Sequence, residues 1–245
     1  MELVKPSKIH VLKNQLKFKM KMLISSFVQL VIIEIVILLL TAYGGSMGEG
    51  TGDNILNLNF RINVPTFMFI ITLFWLFVVV IQLPSNEQRK IGSQFGYSST
   101  SHVIGDFFLI GLFSLTIAIS TSMSNYLQAM IGNLFFGAEY IVGYTIWNTP
   151  TVFFSNLFTM TFIALAVGTF SYAISLLSQI SKWPLAIGIT LIVVFKNSIF
   201  NMFGMFLENI KSSPNALLFD IPFLIISLIS MCIAYSISNK LEVKM

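Results

Sequence analysis

The chain contains several stretches of about 20 residues that carry almost no charged side chains, which is the length an α-helix needs to cross a bilayer. Of its 245 residues, 56% are hydrophobic and 10% are charged. A soluble domain of this size cannot bury that much apolar surface in one core. Backbone groups inside a bilayer must be bonded within their own segment, so the stretches are predicted to be helices. The sequence therefore predicts an all-α polytopic membrane protein, with residues 1–245 forming a single transmembrane domain.

The apolar stretches predict six membrane spans. They are residues 22–43, 64–83, 103–126, 151–178, 184–203 and 219–237. Residues 127–149 are apolar enough to be considered as a seventh span, but they include Glu139, Asn133 and Asn148.

The distribution of basic residues decides between six and seven spans. With six spans and the N-terminus inside, eleven of the 14 basic residues lie on the inner side, in line with the positive-inside rule. A seventh span would move Lys182, Lys240 and Lys244 to the outside. We therefore expect both termini in the cytoplasm of a bacterial cell, a multi-pass protein of the plasma membrane, and residues 127–149 at the outer surface. There they would extend the third helix in part or form a re-entrant segment.

The N-terminal residues 7–22 combine an apolar stripe with a basic face. This predicts an amphipathic helix lying on the inner membrane surface, although a basic flank that only sets topology is the alternative. The basic residues lie where anionic lipid is found, so the net charge of +4 does not call for nucleic acid. The apolar stripe is Ile9, Leu12, Leu16 and Met20, and the basic face is Lys13, Lys17 and Lys21.

Catalytic motifs are not found in the sequence. The two histidines, His10 and His102, are not part of an HExxH zinc motif. The chain has no P-loop, so it is not expected to hydrolyse ATP. We predict no catalytic residue, no metal site and no cofactor in this chain.

Three ionisable residues in or near the spans are candidates for a translocation path. Glu34 lies near the middle of the first span, where a charge is costly and should face the bundle or a wet cavity. Asp106 lies one helical turn after His102, so the two side chains can share a face of the third span. The alternatives are a structural hydrogen bond between helices for Glu34, and solvation at the membrane interface for Asp106.

The segment between the second and third spans, residues 84–102, is a compact charged stretch between apolar runs. Its core, NEQRKIG, contains Glu87, Gln88, Arg89, Lys90 and Gly92. A charged inner loop of this kind suits a soluble partner that docks on the bundle. A solvated connector is the alternative.

The overall layout resembles the permease subunits of ABC-2 type transporters. The matching features are the amphipathic N-terminal helix, six spans, the charged loop after the second span, a tight hairpin at residues 182–184 and a broken outer segment at 196–215. That segment is expected to be re-entrant or interfacial. The proline and basic residue that the family often has before span three are absent from SSTSHVIGD.

The resemblance implies a coupling helix within residues 85–100. In the family this loop has a glutamate, then a basic residue, then a glycine, and Glu87, Arg89, Lys90 and Gly92 match that order, with Gln88 between them. A separate ABC ATPase, in two copies, would bind ATP and Mg²⁺ and drive a homodimer or heterodimer of permease chains.

The size and composition look most like small permeases of this family that export amphipathic peptides, such as the exporters of phenol-soluble modulins or the related bacteriocin-immunity permeases. A channel or secondary carrier without an ATPase is the alternative, as is a membrane anchor or sensor without transport. A proton-coupled carrier usually has more carboxylates inside the membrane than this chain offers.

Overall fold

The computed structural model describes residues 8–44, 64–85, 99–131, 134, 150–180 and 216–242. Within these residues the structure has helices and no strands, so the expectation of an all-α chain is confirmed for the part described. The five helices are α1 (Lys8–Gly44), α2 (Val64–Gln82), α3 (Ser99–Ile131), α4 (Pro150–Ile180) and α5 (Ala216–Glu242).

Four of these helices are long and apolar enough to cross a membrane. Their apolar stretches are Leu23–Leu40, His102–Ser124, Pro150–Gln179 and Asp220–Ser238, whereas the apolar part of α2, Phe67–Gln82, is shorter. The chain thus has the character of a membrane-embedded protein. Five of the six predicted spans coincide with helices, and the predicted span at 184–203 lies outside the described residues.

The N-terminal amphipathic segment is not a separate helix, so the predicted boundary at residue 22 is wrong. Helix α1 continues without a break from Lys8 to Gly44, because no glycine or proline interrupts the sequence between its ends. Its 37 residues reach about 55 Å at 1.5 Å per residue, which exceeds the roughly 30 Å of a hydrocarbon core.

The two faces of this N-terminal segment have different surroundings. Lys13, Lys17 and Lys21 are exposed, while Leu16 and Met20 pack against the helical core. At these two positions the apolar stripe contacts the neighbouring helices. In a helix lying on a membrane surface the same stripe would contact lipid.

Helix α3 is longer than its predicted span. It continues to Ile131, so residues 127–131 extend the third helix as expected, and apart from residue 134 the rest of the segment 127–149 lies outside the described residues. The segment 196–215 also lies outside them.

Helices α1 and α3 run in the same direction. Lys19 of α1 contacts Asp106 of α3, and further along both helices Ser120 donates a hydrogen bond to Glu34. Helix α4 runs opposite to α3, because Tyr172 near the end of α4 contacts Asp106, whereas Met160 near its start contacts Ser122.

Helices α4 and α5 run in the same direction. Thr159 lies beside Asp220, and both residues are close to the start of their helices. An antiparallel pair with this contact would overlap over about 14 residues only, because Pro150 lies nine residues before Thr159 and Ala216 lies four residues before Asp220. Such a short overlap would leave Ser238, near the other end of α5, uncovered by α4, yet Ser238 is buried. The end of α4 and the start of α5 therefore lie at opposite ends of the bundle.

Helices α3 and α4 form the centre of the bundle, with α2 against both. About half of each central apolar stretch is buried, 50% in α3 and 56% in α4, against 22% in α1 and in α5. Gly168 permits the close approach of α3 and α4, because a Cβ added there would lie 2.6 Å from Cγ2 of Ile110. Small residues at such crossings are typical of helices that pack in membranes.

Candidate functional site

A buried group of four polar side chains joins three helices near one end of the bundle. Lys19 of α1 forms an ion pair with Asp106 of α3, and its Nζ lies 3.0 Å from Nδ1 of His102. Tyr172 of α4 donates a hydrogen bond of 2.9 Å to the second carboxylate oxygen of Asp106. These four residues are called the Asp106 cluster below.

The Asp106 cluster is almost fully withdrawn from solvent. Asp106 is 0% exposed, Tyr172 1%, Lys19 4% and His102 8%. An isolated buried charge is very costly, whereas a paired and hydrogen-bonded one is tolerated. Each carboxylate oxygen of Asp106 has a partner, so the lysine and tyrosine together compensate the carboxylate and hold α1 and α4 to α3.

His102 takes part in the cluster through its Nδ1 atom, which contacts Lys19. A lysine ammonium carries only hydrogen-bond donors, so Nδ1 of His102 is the acceptor in this contact. Nδ1 is 3.7 Å from Asp106, which is too long for a direct hydrogen bond. His102 therefore contributes to the cluster as an acceptor for the lysine.

Helix geometry explains how these side chains meet. His102 and Asp106 are four residues apart and share a face of α3, as the sequence predicted. Lys19 was predicted only as one of the basic residues flanking the first span. Lys17 and Lys21 are each two residues from Lys19, about 200° around the helix, so Lys19 points away from them.

Lys19 could have been found from its neighbours in the apolar stripe. It lies three residues after Leu16 and four before Leu23, and both of these side chains contribute to the core. Residues at such spacings lie on one face of a helix. A lysine on the apolar face should have indicated a buried partner. Tyr172 had no comparable signal, because a tyrosine inside an apolar span is common.

One face of α4 connects the Asp106 cluster to the end of α2. Three and seven residues after Tyr172, Ser175 and Gln179 follow on the same face. Ser175 donates a hydrogen bond of 2.6 Å to the carbonyl of Ile81, and the Gln179 amide donates to the carbonyl of Pro84. Helix α2 therefore runs parallel to α4 and is fastened to it where α2 ends.

The predicted coupling loop begins and ends beside this cluster. It follows Pro84, whose carbonyl is held by α4, and it leads into α3 just before His102. The predicted ATPase-coupling residues Glu87, Gln88, Arg89, Lys90 and Gly92 lie outside the described residues. The structure thus describes the two ends of the loop, and both are close to the Asp106 cluster.

Glu34, the third predicted path residue, is not part of the cluster. It lies about 22 Å from Lys19 along α1, at 1.5 Å per residue. Ser120 of α3 donates a hydrogen bond of 2.6 Å to its carboxylate. The structural alternative for Glu34, a hydrogen bond between helices, is present. Its role in a translocation path stays a prediction, as do the roles of His102 and Asp106.

A second buried carboxylate, Asp220 of α5, was not singled out from the sequence. It is 3% exposed, and Thr159 beside it is 1% exposed. Within the part of the chain described, neither Asp220 oxygen nor the Thr159 hydroxyl forms a hydrogen bond of good geometry. The sequence feature that could have indicated this residue is an aspartate within a predicted span, two residues before Pro222.

The described residues contain no group of three or more His, Cys, Asp or Glu side chains that could hold a metal ion.

Comparisons with protein-family models, with characterised proteins and with solved structures find no match to this chain.

Proposed function

We propose that this chain is the membrane subunit of an exporter driven by a separate ABC ATPase. The observation that carries the proposal is the position of the Asp106 cluster at the two ends of the charged loop 84–102. A buried ionic network that joins three helices at the base of such a loop is suited to passing a movement of the loop to the whole bundle.

The proposed topology is six spans with both termini in the cytoplasm of a bacterial cell. Helices α1 and α3 run one way and α4 runs the other, as alternating spans require. Helix α5 runs parallel to α4, so the chain between them must connect opposite ends of the bundle. A span at 184–203 meets that requirement. The basic side chains Lys13, Lys17 and Lys21, which are exposed, then face the inner leaflet.

The proposed mechanism starts at the loop. Glu87, Arg89 and Lys90 make charge-assisted contacts with a groove of the ATPase, with Gln88 and Gly92 in the same coupling helix. The partner binds ATP and Mg²⁺, and closure of two ATPase copies moves the loop in two permease chains, which form a homodimer or a heterodimer.

Movement of the loop then reaches the bundle through hydrogen bonds of the described residues. Pro84 is held by Gln179, and Ile81 is held by Ser175. Three residues before Ser175 on α4, Tyr172 contacts Asp106. Helices α2, α3 and α4 are therefore linked at the same end of the bundle, and a shift of the loop is expected to move them together.

The proposed substrate is an amphipathic peptide, such as a phenol-soluble modulin or an antimicrobial peptide. The outward surfaces of α1 and α5 carry large exposed apolar side chains, such as Ile32, Leu39 and Ile229. An amphipathic peptide can keep its apolar face in the lipid beside such surfaces.

The test is purification of the tagged chain from its native host in a mild detergent. We expect a nucleotide-binding ATPase to copurify, and we expect Glu87→Lys or the pair Arg89→Glu and Lys90→Glu to lose it while the chain still inserts into the membrane. Lys13→Glu, an exposed charge reversal away from the loop, is the matched control. Recovery of the wild-type chain without any ATPase would contradict the proposal.

A second candidate function is an ion-coupled carrier that works without an ATPase. The observation that favours it is Asp220, a buried carboxylate without a hydrogen-bond partner among the described residues. Ionisable groups of this kind in spans often mark ion paths. Wild-type chain that purifies alone and transports in vesicles without ATP is the result expected of a carrier.

A further inference from the structure

Asp220 and Thr159 form a polar site at the end of the bundle opposite the Asp106 cluster. Thr159 and Tyr172 are separated by about 20 Å along α4, at 1.5 Å per residue. Asp220 has no charged partner among the described residues. Its surroundings therefore differ from those of Asp106, although both carboxylates are buried between helices.

The hydroxyls of Thr159 and Thr121 differ from four other threonine hydroxyls in the described helices, because neither has a hydrogen-bond partner of good geometry. The other four each donate to a carbonyl three or four residues earlier in the same helix, which is the usual way a buried threonine is satisfied. Thr159 makes no such bond and is buried beside Asp220. Its oxygen therefore lies next to the Asp220 carboxylate, where both groups can contact one ligand. The threonines with internal bonds are Thr72, Thr116, Thr161 and Thr169.

We propose that Asp220 and Thr159 bind a monovalent metal cation between α4 and α5, for which Na⁺ is the probe. Carboxylate and hydroxyl oxygens are hard ligands and suit hard cations. A single carboxylate balances one positive charge, whereas a divalent ion would leave an uncompensated charge in apolar surroundings. A bound ion also supplies the partners that the Asp220 oxygens lack.

The site does not depend on the proposed exporter function. It uses residues of this chain alone, at the end of α4 away from the coupling loop, and it can be tested without an ATPase. Failure to bind Na⁺ would leave the exporter proposal intact, and failure to find an ATPase would leave the cation site intact.

The test measures thermal unfolding and ²²Na⁺ retention of the purified chain in detergent. Because a ligand that binds only the folded state stabilises it, we expect the midpoint to rise by about 5 °C in saturating NaCl relative to choline chloride of equal ionic strength. We expect stoichiometric retention of ²²Na⁺. Asp220→Asn and Thr159→Val should lose both effects.

Two matched variants test whether the effect is local. Thr161→Val removes a nearby hydroxyl that is already bonded to Leu157, and Glu34→Gln neutralises another carboxylate in a spanning helix. Both should keep the Na⁺ response. Equal midpoints of the wild type in NaCl and choline chloride, without ²²Na⁺ retention, would overturn the site even if Asp220→Asn does not fold. A full Na⁺ response in either Asp220→Asn or Thr159→Val would overturn it as well.

Discussion

The two buried aspartates, Asp106 and Asp220, represent two ways of placing a carboxylate between membrane helices. Asp106 is bonded at both oxygens, by Lys19 and by Tyr172. Asp220 is nearly as buried, yet among the described residues neither of its oxygens has a hydrogen-bond partner. The first carboxylate fastens three helices, while the second has only the Thr159 hydroxyl beside it among the described polar side chains. A buried charge by itself therefore does not indicate function; its partners do.

The largest effect is expected when the Asp106 ion pair is broken. Lys19→Met leaves the Asp106 charge buried with one partner removed, and loss of one member of such a pair costs about 3–5 kcal/mol. Adding Asp106→Leu should recover part of that loss, because well-packed apolar residues often replace a buried pair at little cost, although Tyr172 then loses its acceptor at Asp106. The free energy of unfolding, measured by denaturant titration in detergent micelles, checks both variants. A double variant no more stable than Lys19→Met would show that charge compensation is not what the pair provides.

A smaller effect is expected when the second bond to Asp106 is removed. Tyr172→Phe keeps the ring but deletes the hydroxyl that donates to the carboxylate, and a hydrogen bond to a charged group contributes about 1.5–3 kcal/mol. Tyr235→Phe is the matched control, because Tyr235 of α5 is exposed and should change the unfolding free energy by less than about 0.5 kcal/mol. Equal losses in the two variants would mean that Asp106 does not need the tyrosine.

The packing between the two carboxylate sites can be tested with a pair of glycines. Gly168→Ala places a methyl against Cγ2 of the fully buried Ile110, and overpacking of this kind costs about 1–3 kcal/mol. Gly111→Ala meets nothing within 4 Å and should stabilise α3 by up to about 1 kcal/mol through helix propensity. The same unfolding titration compares them. If both variants are stabilised, α3 and α4 are not in close contact at Gly168.

Much of the fold could be predicted because span length and hydrophobicity leave few alternatives. The helices at 64–82, 150–180 and 216–242 follow the predicted spans to within a few residues, and the shared face of His102 and Asp106 follows from their spacing. The continuity of α1 from Lys8 to Gly44 was not predicted, because the change from basic to apolar composition near residue 22 was taken as a helix boundary. Composition does not end a helix without a glycine, a proline or a cap.

The partners of the buried groups could not be predicted, since they come from distant parts of the chain. Lys19 looked like one basic residue among several, and only the three-dimensional structure brings it to Asp106. In the sequence, Asp220 is only a residue at the start of a span. Its burial without a hydrogen-bond partner of good geometry is apparent only from the packed helices. The coupling residues around Arg89, the fifth span and the outer segment 196–215 stay predictions.

The central claim is that the Asp106 cluster links the charged loop to the rest of the bundle. It is tested most directly with Lys19→Met combined with Asp106→Leu, the variant in which part of the lost stability is expected to be recovered without the ionic link. Protection of cells against amphipathic helical peptides is measured together with copurification of the ATPase. We predict that this variant retains the ATPase but loses most of the protection that the wild type gives. A variant that folds, binds the ATPase and protects as well as the wild type would contradict the account.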